Sequence, residues 1–219
     1  MRSIDDSSVL NNGLAMPWLG LGVFGMKDDH EVERAVSQAL EIGYRSIDTA
    51  SIYENERGVG SAIRESDIPR EEIFLTTKVW NDDQRLGRTT AALEESLERL
   101  AVDYVDLYLV HWPVDGCFIE TWSEMEAIYE SGRAKAIGVS NFMQPHLQEL
   151  LPVARIAPAV NQVEFHPLLV QMDLLQYCRD RNIRVEAWSP LMSGNIFTVR
   201  TAVELAEKYQ KTPAQIVLR

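Results

Sequence analysis

An α/β fold of the (β/α)8 TIM-barrel class, entered through a β-hairpin, is predicted by three observations. Short β-branched or apolar runs alternate with longer amphipathic stretches seven times, which requires a parallel sheet with helices outside it. The runs end at 48, 78, 111, 140, 164 and 189, a spacing even enough to favour a closed barrel over an open doubly wound sheet. No linker, low-complexity tract or long charge block interrupts the 219 residues, so residues 1–219 read as one barrel domain.

The elements follow in order. Leu10-Asn11-Asn12-Gly13-Leu14 sets an Asn-Gly pair between apolar residues, a hairpin signal ahead of the repeat. Strands are expected at Leu19–Phe24, Arg45–Asp48, Ile73–Val79, Val105–His111, Ala136–Ser140, Ala159–Glu164 and Arg184–Ser189. Helices are expected at Asp29–Ile42, Asn55–Glu65, Arg88–Leu100, Ile119–Ser131, Gln144–Leu151, Asp173–Arg181 and Thr198–Tyr209. Leu93, Leu97 and Leu100 carry the i, i+4, i+7 spacing of a buried helical face. Thr212-Pro213 open a further helical pattern that runs into Arg219. Seven strands are countable, and a barrel of this class takes about 250 residues. A C-terminal strand and helix are therefore expected to be missing from this chain.

Residues 20–25, GLGVFG, match the G-x-G-x-x-G of a dinucleotide-binding Rossmann turn. The context argues against it. Gly25 is followed by Met26-Lys27-Asp28-Asp29, and two carboxylates suit a helix N-terminus but repel a diphosphate. Gly58-Val59-Gly60 lies inside a helical pattern and reads as a tight helix-packing position.

The net charge of −12 disfavours nucleic acid and anionic lipid as partners. No signal peptide and no apolar run long enough to span a membrane is visible. Cys117 and Cys178 read as free thiols of a cytoplasmic protein, and the four histidines lack metal-ligand spacing, so no metal is expected; the protein is expected to be a monomer.

In a barrel of this class, chemistry sits at the C-terminal ends of the strands. The residues found there are Asp48, Lys78 and His111, with Tyr53 in the loop after Asp48. Phenol is a poor acid, with an ordinary pKa near 10; a nearby ammonium lowers it, and a carboxylate holds the ammonium in place. A histidine at the same mouth hydrogen-bonds a carbonyl oxygen. The set reads as a proton donor for carbonyl reduction, with Tyr53 as acid. Trp80 and Trp112 follow Lys78 and His111 and line the same mouth. Glu164 and Glu186 raise a rival reading, a glycosidase carboxylate pair, which would need both groups facing each other at the mouth. Glu186 precedes Trp188 by two residues and is expected lower in its strand. Glu56 reads as a first-turn acid on the helix dipole.

The segments GYRSIDTASIYENERGVGSAI, TTKVWN, DLYLVHWP, AIGVSNF, NQVEFHP and AWSPL resemble the motif series of the aldo-keto reductases. Within that family they are most similar to the bacterial branch with 2,5-diketo-gluconate and glyoxal or methylglyoxal reductases. The resemblance runs from about Leu10 to Arg219. It implies NADPH bound across the barrel mouth and a catalytic tetrad of Asp48, Tyr53, Lys78 and His111. It also implies that Gly22 and Val23 approach the nicotinamide end, and that Ser140, Asn141 and Gln162 bind the carboxamide. Trp188 would stack on the ring, and Ser189, Leu191 and Ser193 would hold the pyrophosphate. The contacts to the adenosine 2′-phosphate fall beyond Arg219. Phe24 stands in the substrate pocket where many animal relatives have Trp, and only Val114–Phe118 separate the His111-Trp112-Pro113 turn from the next helix. A small or polar carbonyl substrate is expected. The alternative of another class is a non-catalytic NADPH-sensing module, which loss of the tetrad would have favoured.

Overall fold

The computed structural model describes residues 3–219. An antiparallel hairpin of β1 (Ser7–Val9) and β2 (Ala15–Pro17) comes first, with Gly13 at φ 88° in the turn. A left-handed residue is what a tight turn there requires, and glycine supplies it without a Cβ penalty. Seven parallel strands follow: β3 (Leu21–Gly22), β4 (Ser46–Asp48), β5 (Phe74–Val79), β6 (Val105–Val110), β7 (Ala134–Ser140), β8 (Val160–Glu164) and β9 (Arg184–Trp188). They pair in sequence order, β3 to β9, as a near-barrel wrapped by helices.

The curvature is demonstrated by one hydrogen bond. Gln162 on β8 reaches Asp48 on β4 at 2.8 Å, four strands away in the sheet order. At about 4.8 Å per strand a flat sheet would hold them roughly 19 Å apart. Both faces of the sheet are covered, which is why β5 and β6 are buried along their whole lengths.

Strand parity then divides the side chains. Phe74, Leu107, Leu109, Ala136 and Val160 point inward, where Leu10 and Met16 of the hairpin join them in one buried cluster. Asn11 and Asn12 tie the hairpin to the Pro158 and Lys135 carbonyls. The hairpin is thus a plug in the N-terminal end of the barrel. Leu75, Val79, Tyr108, Val110, Ile137, Val139 and Val163 point outward into a second cluster shared with the helices. Continuing inward-facing parity toward the C-terminal ends gives Asp48, Lys78, His111, Ser140, Gln162, Glu186 and Trp188.

The helices are α1 (Asp29–Glu41), α2 (Glu56–Glu65), α3 (Asn81–Arg85), α4 (Thr89–Leu100), α5 (Phe118–Glu130), α6 (Gln144–Leu150), α7 (Met172–Arg179), α8 (Arg200–Tyr209) and α9 (Pro213–Val217). Asp28 caps α1, accepting from Glu31 N at 2.9 Å. That N-terminus is closed by the protein's own carboxylate, so GLGVFG is no phosphate cradle. Gly58 and Gly60 are packing glycines: a Cβ on Gly58 would strike the Asp29 backbone and one on Gly60 the Leu100 backbone. Glu56 does more than face a helix dipole. It is buried, accepts from Thr77 Oγ1 at 2.6 Å and Arg99 Nε at 2.7 Å, and so ties α2 to β5 and α4.

One expectation shrinks, and one element is added. The strand expected over Leu19–Phe24 is regular only at Leu21 and Gly22, because β4 is its one ladder partner. The short helix α3 was not foreseen, since Asn81-Asp82-Asp83-Gln84-Arg85 has no apolar periodicity and buries only Gln84.

Candidate active site

Lys78 lies at the centre of the mouth, 1% exposed. Its Nζ donates to Asp48 Oδ1 at 2.5 Å, to Thr49 O at 2.9 Å and to Tyr53 OH at 3.5 Å. An ammonium has three donors, and each has an acceptor here. Tyr53 is delivered by a 3-10 turn, Ser51–Tyr53, directly after β4. The turn is anchored by Ser51 Oγ donating to Lys78 O at 3.0 Å. Buried Asn55 supports it from below: it accepts from Thr49 Oγ1 at 2.7 Å and donates to the Val23 and Met26 carbonyls at 3.0 and 2.7 Å. One side chain therefore sets the loop after β3 against the loop after β4.

His111 follows β6, with its ring 5.6 Å from Tyr53 and 5.1 Å from Trp80, edge-on to both. Burial, then the Lys78 charge, lowers its pKa to about 3, so it is neutral across the physiological range. Burial works to lower the Lys78 pKa as well. The Asp48 carboxylate, with Tyr53 and Glu186, outweighs that and raises it.

Tyr53 departs from the sequence expectation. Lys78 does pull its pKa down, but burial and the Asp48 charge prevail and hold it above the ordinary value. The phenol therefore keeps its proton.

Ser140, Asn141, Gln162 and Trp188 are tied to this centre by hydrogen bonds. Ser140 Oγ donates to Gln162 O at 3.0 Å. Asn141, in the left-handed region at φ 63°, donates to His111 O and to Ser140 Oγ, and its Oδ1 accepts from Trp188 Nε1 at 2.9 Å. Gln162 Nε2 donates to Asp48 Oδ2 at 2.8 Å and to Glu186 Oε2 at 2.9 Å. Gly22 opens onto the mouth, since a Cβ there would meet nothing within 4 Å, and Val23 beside it is fully buried. Ser189, Met192, Ser193 and Gly194 all have left-handed backbone, which turns the segment around Leu191 back on itself. Phe24 is 79% exposed with its ring 5.0 Å from Tyr53, and Trp112, directly after His111, is 42% exposed.

The carboxylate pair does not take the glycosidase arrangement. Glu164 lies opposite Trp188 in the β8–β9 register and pairs with His166 at 3.4 Å. Glu186 lies one pleat lower, opposite Gln162, as its position two residues before Trp188 predicts. Its connection through Gln162 to Asp48 was not foreseen, although the shared inward parity of 162, 164, 186 and 188 carried that signal. Among the described residues no cluster of metal-ligating side chains forms, and no helix is long and apolar enough to cross a membrane.

The sequence model of the Aldo/keto reductase family matches residues 18–219. Glyoxal reductase of Bacillus subtilis is 52% identical over 217 residues, which cover 99% of this chain and 79% of that protein. Methylglyoxal reductase DkgA of Salmonella typhimurium is 48% identical, across 96% of this chain and 77% of its own length. The crystal structure of a Bombyx mori aldo-keto reductase in complex with NADP superposes with a TM-score of 0.90 at 35% identity, covering 97% of this chain and 78% of that one.

Proposed function

Since the chain belongs to the aldo/keto reductase family, we propose that it reduces small aldehydes or ketones to alcohols with NADPH, Tyr53 acting as general acid. The observation that carries this reading is Lys78 Nζ held between Asp48 Oδ1 and Tyr53 OH, with neutral His111 beside the phenol.

NADPH, when bound, supplies the hydride. The residues present suit it. Gly22 leaves open space at the mouth, and among the described residues nothing donates to Gln162 Oε1, which leaves an acceptor for a carboxamide N–H. Gly22, Val23, Ser140, Asn141 and Gln162 would hold the nicotinamide end, Trp188 would offer its indole face, and Ser189, Leu191 and Ser193 would take the pyrophosphate.

The chain's own steps follow from charge. A carbonyl at the mouth sits within reach of Tyr53 and His111. Neutral His111 offers an N–H to the oxygen without competing as an acid. As negative charge grows on that oxygen, Tyr53 OH passes its proton to it, and Lys78 stabilises the phenolate left behind. Asp48 holds Lys78 in place. The rim of Phe24, Trp80 and Trp112 is apolar, and the short stretch after His111 leaves it open. That supports small α-dicarbonyls of the glyoxal and methylglyoxal type, the compounds after which the relatives above are named.

Tyr53→Phe tests the reading. Methylglyoxal-dependent NADPH oxidation should fall at least about 100-fold, the lower end for loss of a general acid, while NADPH affinity stays within about threefold because the phenol acts in the transition state. More than a tenth of wild-type turnover in the variant would remove Tyr53 as the acid.

A further inference from the structure

Glu186 has no part in the steps above, yet it is joined to them. Its Oε2 accepts from Gln162 Nε2 at 2.9 Å, the same nitrogen donates to Asp48 Oδ2 at 2.8 Å, and Asp48 Oδ1 holds Lys78 Nζ at 2.5 Å. A primary amide has two N–H protons, and both are committed to carboxyl groups. Flipping the amide would set its oxygen against two carboxyl oxygens. Asp48 and Glu186 together therefore fix which way Gln162 presents Oε1.

The groups that face Glu186 are few. From β4 comes Asp48, from β5 Lys78 and from β8 the uncharged Gln162; β3, over Leu21–Gly22, carries no titratable group. On β9 itself, Arg184 is directed to the Trp18 ring, 5.1 Å from its centroid. One ammonium thus serves two half-buried carboxyls, and the second is costly to ionise.

We propose that Glu186 is a positioning residue for the reduction: through Gln162 it fixes the amide and the Asp48–Lys78 pair, and the charge it carries tunes how readily Tyr53 gives up its proton. The proposal rests on the Tyr53 reading. Burial, then the Asp48 charge, raises the Glu186 pKa to about 7, against the opposing pull of Gln162 and Lys78. Below that value the carboxyl is neutral, and Asp48 alone offsets the Lys78 charge. Above it, a second negative charge enters beside Lys78, the phenolate becomes harder to form, and reduction slows.

The test has two arms. In the first, kcat for methylglyoxal reduction is followed from about pH 6 to 8, either side of the raised value. Wild type should lose roughly three- to tenfold across that range, the size expected of one added charge at a partly screened site. Glu186→Gln, which still accepts from Gln162 but cannot ionise, should be flat. In the second arm, infrared titration of the cofactor-free protein should show a protonated-carboxyl stretch that vanishes near pH 7 in wild type and is missing in Glu186→Gln. Superimposable pH profiles overturn the proposal. So does a band that persists in the variant, or a wild-type protein whose carboxyls have all ionised well below neutrality, a result that needs no variant to fold. If Tyr53→Phe keeps its turnover, the Tyr53 reading falls instead, and the infrared arm still reports on Glu186 alone.

Discussion

His111 contributes to the pH dependence of stability as well as to the site. Folded, it takes a proton only below about 3, against an ordinary value of 6.5. Between those values the unfolded chain binds one proton more than the folded one. The stability is whole above pH 6.5 and is lost as pH falls toward 3. From pH 7.5 to pH 5 this group alone accounts for about 2 kcal/mol at most, at 1.36 kcal/mol per pH unit below 6.5. His111→Asn should show a shallower fall in its urea midpoint over that interval. Equal slopes in the two proteins would mean that some other group governs acid unfolding. At this scale the grouping of Asp48, Tyr53, Lys78 and His111 at one end of the barrel was largely legible. Asp48 ends a strand, Lys78 is one residue short of an end, His111 directly follows one, and Tyr53 comes soon after one. What the sequence hid were quantities and long-range partners. Whether burial or Lys78 dominates Tyr53 depends on solvent access, which has no local signature. The link from Glu186 to Asp48 joins positions 138 residues apart, by subtraction of 48 from 186.

Elements are positioned as much by what their residues lack as by what they carry. In α2, Gly58 meets the backbone of α1, and its N–H donates to Asp29 Oδ1 at 3.0 Å. Gly60 meets the backbone of α4 at Leu100. Two helix propensities therefore compete with two close approaches. Alanine gains roughly 1 kcal/mol over glycine in a helix interior, whereas forcing helices apart in a packed layer costs about 1–3 kcal/mol. The neighbour at Gly60 is backbone and has little room to yield, so the packing cost wins. Gly60→Ala should lower the urea midpoint, by a free energy of up to about 2 kcal/mol after the propensity gain is subtracted. A more stable variant would show that α2 has slack. The same displacement reaches the mouth: α2 begins at Glu56, directly after Asn55, the side chain that fixes Val23 and Thr49. Helix periodicity and glycine placement were readable in the sequence. The length of β3 was not, because pairing on one side depends on a partner strand rather than on the residues of β3 itself.

Across the whole molecule the barrel separates an apolar plug from a polar mouth, where the proposed site lies, along its axis. At the N-terminal end, Leu10 and Met16 fill the interior with Phe74, Leu107, Leu109, Ala136 and Val160, all apolar. From Phe74, two steps of inward parity along β5 lead through Thr76 to Lys78, a climb of about 13 Å at 3.3 Å per residue. The interior changes over that height from an oil-like plug to a hydrogen-bonded chain of Tyr53, Lys78, Asp48, Gln162 and Glu186. Truncating the plug should therefore affect folding and spare the reaction. Met16→Ala removes a side chain that is 5% exposed, and a buried Met→Ala change costs about 2–4 kcal/mol. At about 2–4 °C per kcal/mol for a chain of this size, Tm should fall by roughly 5–15 °C. The mouth keeps its own hydrogen bonds, so kcat for methylglyoxal, measured well below the lowered Tm, should stay within about twofold of wild type, since sites this far apart act additively. A Tm loss accompanied by a tenfold fall in kcat would show that the plug sets the depth of the polar layer, and that the two ends of the barrel are mechanically one.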